Sequence, residues 1–424
     1  MGLPSRPGSF LPWRLPFGWS RLAVTAMVLS ACGHGGGQKV EGGSSGRSLD
    51  ANDIAVPAEY SVELVAKNLT YPTGITFDAA GVPVVVESGY AYGEDFVTPR
   101  LLRLTQDGAH QEIARGNDNG PWNGVDFANG DYFISEGGVR HGGRILKVSG
   151  AGETTVLVKD LPSLGDHHTN GPAVRDGWVY FGQGAATNAG VVGEDNAKFG
   201  WLGRQPGFHD VPCADVTLTG RSLESGNPLT DDDNDRARTG PFLPFATPAS
   251  EGQIIKGQVP CSGAVMRVRT GGGAVELVAW GFRNPFGLAF APNGRLFATD
   301  NGFDERGSRP VFGAADMLWQ VEPGRWYGWP EYAEGRPLTL ERFKEGKGPH
   351  PEPLLRTMPG EPPKPKAFLA VHSSSDGLDF SSNAHFGFVG NAFIAQFGDQ
   401  APSWAKCATR SASRSSASIP RPAR

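Results

Sequence analysis

The chain has 424 residues, a formal charge of −5, 60 Gly and 34 Pro. That glycine and proline content, with no long helical periodicity, excludes a mainly helical protein and predicts an all-β fold. The acidic balance argues against nucleic acid as a partner, and there is no Walker A loop, no G-x-G-x-x-G and no H-E-x-x-H.

Residues 1–31 read as a targeting segment. Arg14 and Arg21 give a basic approach, and Leu22 to Leu29 form an apolar core too short to span a bilayer. Leu29-Ser30-Ala31-Cys32 resembles a bacterial lipobox, in which the chain is cut before the cysteine and its thiol takes a lipid. The alternative is an ordinary secretory signal with a chance cysteine. Residues 32–54 are a Gly/Ser-rich tether with almost no apolar side chains. The expectation is an exported protein, lipid-anchored through Cys32 in the bacterial cell envelope, on the periplasmic or outer-membrane face, with no other membrane contact.

From residue 55 to about 400 the sequence repeats a unit. Gly74-Ile75-Thr76-Phe77, Gly124-Val125-Asp126-Phe127, Gly171-Pro172-Ala173-Val174, Gly287-Leu288-Ala289-Phe290 and Gly377-Leu378-Asp379-Phe380 each precede a second apolar run. The steps between the leading glycines are 50, 47, 116 and 90 residues. A period of about 45 to 50 residues predicts a β-propeller, with insertions filling the long steps. A β-sandwich of repeated hairpins is the alternative. The fourth copy shows the unit most fully. Pro292-Asn293-Gly294 is a turn between two short strands. Arg283-Asn284 before the first strand and Asp300 to Glu305 after the second then lie at the same end of the hairpin.

An acidic, Pro/Gly-rich insertion of about 182–263 is expected between two blades. Cys213 and Cys261 bracket most of it. If Cys32 is acylated, these two are natural disulfide partners outside the cytoplasm, free thiols being the alternative. Asp231 to Asp235 fail as a calcium loop, because the sixth position is Arg236 and the twelfth Phe242. The strongest chemical candidate is Asp166-His167-His168, just before the strand of a repeat. Arg283-Asn284 holds the equivalent place in its own repeat, so the two motifs are expected to face each other across a central pocket. Imidazole accepts protons near neutral pH, and a guanidinium can hold a carboxylate by two hydrogen bonds.

Gly281-Phe282-Arg283-Asn284-Pro285-Phe286-Gly287-Leu288 and Glu322 to Pro330, ending Tyr327-Gly328-Trp329-Pro330, resemble motifs of the glucose/sorbosone dehydrogenase family, the soluble pyrroloquinoline-quinone (PQQ) sugar dehydrogenases. His168-Thr169-Asn170-Gly171 is similar to that family's H-x-x-G. The resemblance implies a six-bladed propeller with PQQ and Ca2+ at one face. It implies oxidation of an aldose or related alcohol by hydride transfer to the quinone. His168 would be the base, and Arg283 and Asn284 would touch the cofactor. The carbonyls of Gly302 and Phe303 would bind calcium. His167 stands where the family often has Asp or Asn, which leaves a one-residue ambiguity in the base. The electron acceptor is not named by the motifs. A calcium-dependent lactonase and a non-catalytic binding propeller are the other classes this fold hosts.

Residues 401–424 carry Lys406, Arg410, Arg414, Arg421 and Arg424 and no acidic residue. They do not alternate like a strand, so the expectation is a basic low-complexity tail after an incomplete last blade. The tail is either native or the product of a shifted coding frame near residue 400.

Overall fold

The computed structural model describes residues 54–88, 96–105, 108–198 and 200–398. The targeting segment, Cys32, nearly all of the tether and the basic tail lie outside the described residues. Four antiparallel sheets of four strands, and a fifth of two, follow one another along the chain. Blade one is β1 (Pro72–Phe77), β2 (Pro83–Glu87), β3 (Arg100–Leu104) and β4 (His110–Arg115). Blade two is β5 (Trp122–Ala128), β6 (Asp131–Glu136), β7 (Gly143–Ser149) and β8 (Thr154–Leu161). Blade three begins with β9 (Thr169–Arg175) and β10 (Trp178–Gln183). A short helix, α1 (Asp195–Lys198), comes next, followed by β11 (Val216–Thr217), β12 (Leu223–Gly226), β13 (Arg236–Thr239) and β14 (Ile254–Ile255). Blade three then resumes with β15 (Ala264–Arg269) and β16 (Glu276–Trp280). Blade four is β17 (Pro285–Phe290), β18 (Leu296–Asp300) and β19 (Ala315–Gln320). The small ribbon β20 (Tyr332–Ala333) and β21 (Arg336–Pro337) interrupts it before its last strand, β22 (Ala367–Val371). The fifth sheet is β23 (Ser375–Phe380) with β24 (Ala392–Gln396).

The first strands of the blades, β1, β5, β9, β17 and β23, are neighbours in that order, which makes the fold propeller-like. Each carries one of the repeated glycines at a shift in its pairing register. The reason is space. A Cβ on Gly124 would lie 1.7 Å from the Gly171 carbonyl oxygen, and one on Gly287 would lie 2.1 Å from that of Asp376. Only glycine lets adjacent inner strands approach so closely. The apolar cores lie between successive blades. Val86, Leu101 and Ile134 pack between one and two, Phe133, Phe181 and Met266 between two and three. Leu288 and Trp319 pack against Val265 between three and four, and Phe297 against Phe380 between four and five. Each fully buried side chain of this size contributes about 1.5–3 kcal/mol.

The position after the repeated glycine shows where the ring ends among the described residues. Val125 is 8 % and Leu288 6 % exposed, but Ile75 is 37 % exposed, and Phe77 further along the same strand is 50 % exposed. Ahead of β1, Tyr60 reaches blade five, donating its hydroxyl to the Phe386 carbonyl and stacking on Phe388.

The long steps have separate causes. Residues 184–263 lie inside blade three, between its second and third strands, and not between two blades as the spacing suggested. The ladder from Trp178↔Arg269 to Gln183↔Ala264 is continuous on both sides of the excursion. Sequence spacing cannot tell which turn of a blade has been lengthened. Residues 321–366 lengthen the last connection of blade four in the same way. Cys213 and Cys261 form a disulfide with Cα atoms 5.1 Å apart. The run Asp231 to Asp235 is an exposed turn between β12 and β13.

Gly124→Ala should therefore destabilise the fold by about 1–3 kcal/mol or more, while Gly130→Ala, whose Cβ would meet nothing within 4 Å but whose φ is positive, should cost less. Urea denaturation of the two variants measures the difference.

Candidate active site at the mouth of the ring

The segments that enter the first strands and leave the second ones meet at one end of the ring. Before β17, the main-chain N–H groups of Arg283 and Asn284 both donate to Asp300 Oδ1, at 3.2 and 2.8 Å. Trp319 Nε1 donates to the other oxygen at 3.2 Å. This buried clamp sets the direction of both side chains. Burial pushes the Asp300 carboxyl up to about 7 in spite of the N–H groups that favour its charged form. The Arg283 side chain donates to Asn188 Oδ1 at 3.1 Å and to Asp304 Oδ2 at 2.7 Å. Asn284 lies between two other amides, with Asn170 Nδ2 at 2.8 Å from its oxygen and Asn301 Oδ1 at 2.7 Å from its nitrogen.

The histidines stand before β9, on the neighbouring blade. His167 Nδ1 donates to the Ala185 carbonyl at 2.7 Å and His168 Nδ1 to the Ser163 carbonyl at 3.2 Å. A carbonyl can only accept, so in each neutral ring the proton is on Nδ1 and the lone pair on Nε2. Burial, then the charge of Arg283, lowers the His167 pKa to about 3. Burial lowers that of His168 to about 4, against the favourable hydrogen bond to Ser163. The charges acting on His167 are Arg283, Asp166 and Arg306, and those on His168 are Asp166 and Arg204. The two motifs do not face each other across a pocket. They are packed side by side, joined through the Ala185 N–H, which donates to the Arg283 carbonyl at 2.7 Å. The step of 116 residues conceals that their blades are adjacent.

Four residues of this site, Asn188, Asp195, Asn196 and Trp201, give no sequence signal. Arg306 pairs with Asp166 and Asp195 at 2.7 Å each and with Asp304 at 2.9 Å. Trp201 Nε1 and Asn196 Nδ2 donate to Asp166 at 2.6 and 3.0 Å. Asn188, Asp195, Asn196 and Trp201 all come from the excursion in blade three, so the excursion builds one wall of the site. Asp304 belongs to the polar run Asp300 to Glu305 singled out in the sequence, and Arg306, which directly follows that run, could have been noticed with it. Burial alone would raise the Asp304 carboxyl, but Arg283, His372 and Arg306 hold it well below the usual range. His372 lies 3.8 Å from Asp304 and 2.7 Å from Glu305, and these carboxylates push it up to about 10.

At the expected calcium position, the Gly302 N–H donates to Asp316 Oδ1 at 2.8 Å and the Phe303 side chain is buried in an apolar cluster. No group of three or more His, Cys, Asp or Glu side chains suited to a metal occurs among the described residues. A cation here would depend on backbone carbonyls.

Residues 254–399 match the family described as Glucose / Sorbosone dehydrogenase, so the resemblance carried by the two motifs holds over that stretch, which contains Arg283, Asn284, Gly302 and Phe303. Among solved structures, the chain is similar to the PQQ-bound form of aldose sugar dehydrogenase from Streptomyces coelicolor, at 17 % identity, with 79 % of this chain and 77 % of that one covered and a TM-score of 0.45. It is also similar to the PQQ domain of pyranose dehydrogenase from Coprinopsis cinerea, at 13 % identity, with 79 % and 74 % covered and a TM-score of 0.44. No curated protein matches the chain in sequence.

The donors of the Arg283 guanidinium and the Asn284 amide fit the carbonyl edge of a quinone, and the Nε2 lone pairs of the two imidazoles are acceptors suited to a proton and not to that edge. The site offers less to the carboxylates of such a cofactor, because Arg283 and Arg306 already face Asp166, Asp195 and Asp304.

Both imidazoles bind a proton in the unfolded chain below about pH 6.5 but in the folded one only below about 3 to 4. Their burial thus contributes stability that is complete above pH 6.5 and is lost as the pH falls toward 4. His168→Gln should gain on the native protein by about 1–2 kcal/mol between pH 7 and pH 5, measured by urea unfolding at the two pH values.

Proposed function

We propose that the protein oxidises an aldose sugar or a related alcohol, with PQQ as the hydride acceptor. The observation that carries this reading is the pair of buried, neutral imidazoles before β9, the first of them beside Arg283, with Arg283-Asn284 lying in the stretch that matches the dehydrogenase family. Oxidation of a CH–OH group requires a base for the hydroxyl proton, and each imidazole has an Nε2 able to take it. We assign the base to His168. Its depressed pKa keeps the basic form present throughout the neutral range and places the acid limb of kcat/KM near pH 4 instead of 6.5.

When bound, PQQ supplies the carbon that accepts the hydride. Arg283 and Asn284 are the residues that would hold its quinone edge. The Arg283 guanidinium, fixed by Asn188 and Asp304, opposes negative charge developing on a nearby oxygen without having to reorganise. Calcium on the carbonyls of Gly302 and Phe303 belongs to the same proposal. So does a sixth blade, which would cover Ile75 and Phe77. Export and lipid anchoring through Cys32 are the setting we propose for the activity.

Dye reduction with a panel of aldoses, in the presence of calcium and PQQ, tests the activity. His168→Ala should lower turnover by about 10²- to 10⁴-fold while quinone binding survives. If His167→Ala has that effect and His168→Ala does not, the assignment of the base falls. Arg283→Lys should weaken PQQ binding, read by fluorescence quenching, because an ammonium lacks the planar fork that lets the guanidinium face a quinone oxygen while held by Asn188 and Asp304. Unchanged binding in that variant would remove Arg283 from the cofactor.

A further inference from the structure

Asn284 is one link in a chain of amides. Asn123 Nδ2 donates to the Thr169 carbonyl at 3.0 Å and to Asn170 Oδ1 at 3.2 Å. Asn170 Nδ2 donates to Asn284 Oδ1 at 2.8 Å, and Asn284 Nδ2 to Asn301 Oδ1 at 2.7 Å. Asn301 Nδ2 donates to the Ser375 carbonyl at 3.3 Å and lies 3.5 Å from Asp376 Oδ1. The chain runs from blade two to blade five in a single sense.

That sense follows from its ends. A carbonyl only accepts, so Asn301 must turn its nitrogen to Ser375 and Asn123 its nitrogen to Thr169. Asn301 is left with its oxygen toward Asn284, which has to answer with nitrogen. The Asn284 oxygen then faces Asn170, which answers with nitrogen in turn. Reversing Asn284 alone would set oxygen against oxygen on one side and N–H against N–H on the other. Its oxygen is also crowded by the backbone, since a Cβ on Gly184 would lie 2.8 Å from it. One Nδ2 hydrogen is engaged by Asn301, and the second is left over.

We propose that Asn170 and Asn301 are positioning residues which lock the Asn284 amide so that it offers a hydrogen-bond donor, and therefore binds a carbonyl-type oxygen of the cofactor. This rests on the reading in which Asn284 touches the quinone. Neighbouring amides in such a chain also polarise one another, which strengthens the donor at Asn284.

The test uses the full chain with three single substitutions. Asn170→Asp keeps the size of the side chain and the acceptor for Asn123 but removes the donor to Asn284. Asn301→Leu removes the acceptor for Asn284. Asn123→Ala cuts the chain one link away from it. PQQ affinity by fluorescence quenching should fall about tenfold in the first two and less than twofold in the third, without tracking the melting temperatures. In apo-protein labelled with 15N-asparagine, the Asn284 side-chain amide pair, assigned by its loss in Asn284→Asp, should shift in the first two variants and stay in place in the third. Unchanged affinity in Asn170→Asp and Asn301→Leu overturns the proposal. So does equal weakening in all three in step with the melting temperature, which would make the chain a clasp between blades and nothing more. If the native protein binds no PQQ, the quinone reading fails by itself. The apo spectra then decide the positioning role: a shifted pair in Asn170→Asp and Asn301→Leu upholds it, and an unmoved pair overturns it.

Discussion

Around the axis, the inner strands approach until a hydrogen atom is all that fits at Gly124 and Gly287. That approach puts the start of each inner strand next to its neighbour's. The site is a consequence: the polar residues that precede β9 and β17 can touch only because the strands behind them are so close. The same constraint explains why the repeat is visible at all. At Gly124 and Gly287, where a Cβ cannot be placed, only glycine is tolerated.

At the mouth, charge is arranged so that little of it is free. Arg283 and Arg306 share Asp304, and Arg306 also holds Asp166 and Asp195. Buried ions are costly unless paired, so these groups constrain one another's geometry. The imidazoles beside them are neutral chiefly because they are buried; Arg283 adds to this at His167, and the opposing charge of Asp166 does not offset it. A neutral imidazole with Nδ1–H on a carbonyl is the form that can accept a proton, so the requirement of burial and the requirement of base chemistry coincide.

The excursion in blade three changes what the ring alone could do. Its start and end are paired through β10 and β15, and a disulfide joins Cys213 to Cys261 near its close. Between those points it delivers Asn188, Asp195, Asn196 and Trp201 to the cluster. A lengthened turn can be added without disturbing the blade's ladder, which makes such a turn the natural place to build a wall over the site.

The sequence by itself determined the inner-strand glycines, the hairpin around Pro292-Asn293-Gly294, and the placing of Arg283-Asn284 at the same end as Asp300 to Glu305. Each is local: a turn, a steric exclusion, or a pairing set by a short register. The tertiary structure alone decided that blades three and four bring His167 and His168 alongside Arg283, that the excursion interrupts a blade and not a connection between blades, and that Asp166, Asp304 and Arg306 form one cluster. Those facts depend on segments more than a hundred residues apart, Asn170 with Asn284 and Asp195 with Arg306 among them. No local spacing carries that information, because it arises only when the ring forms and the strands close on one another.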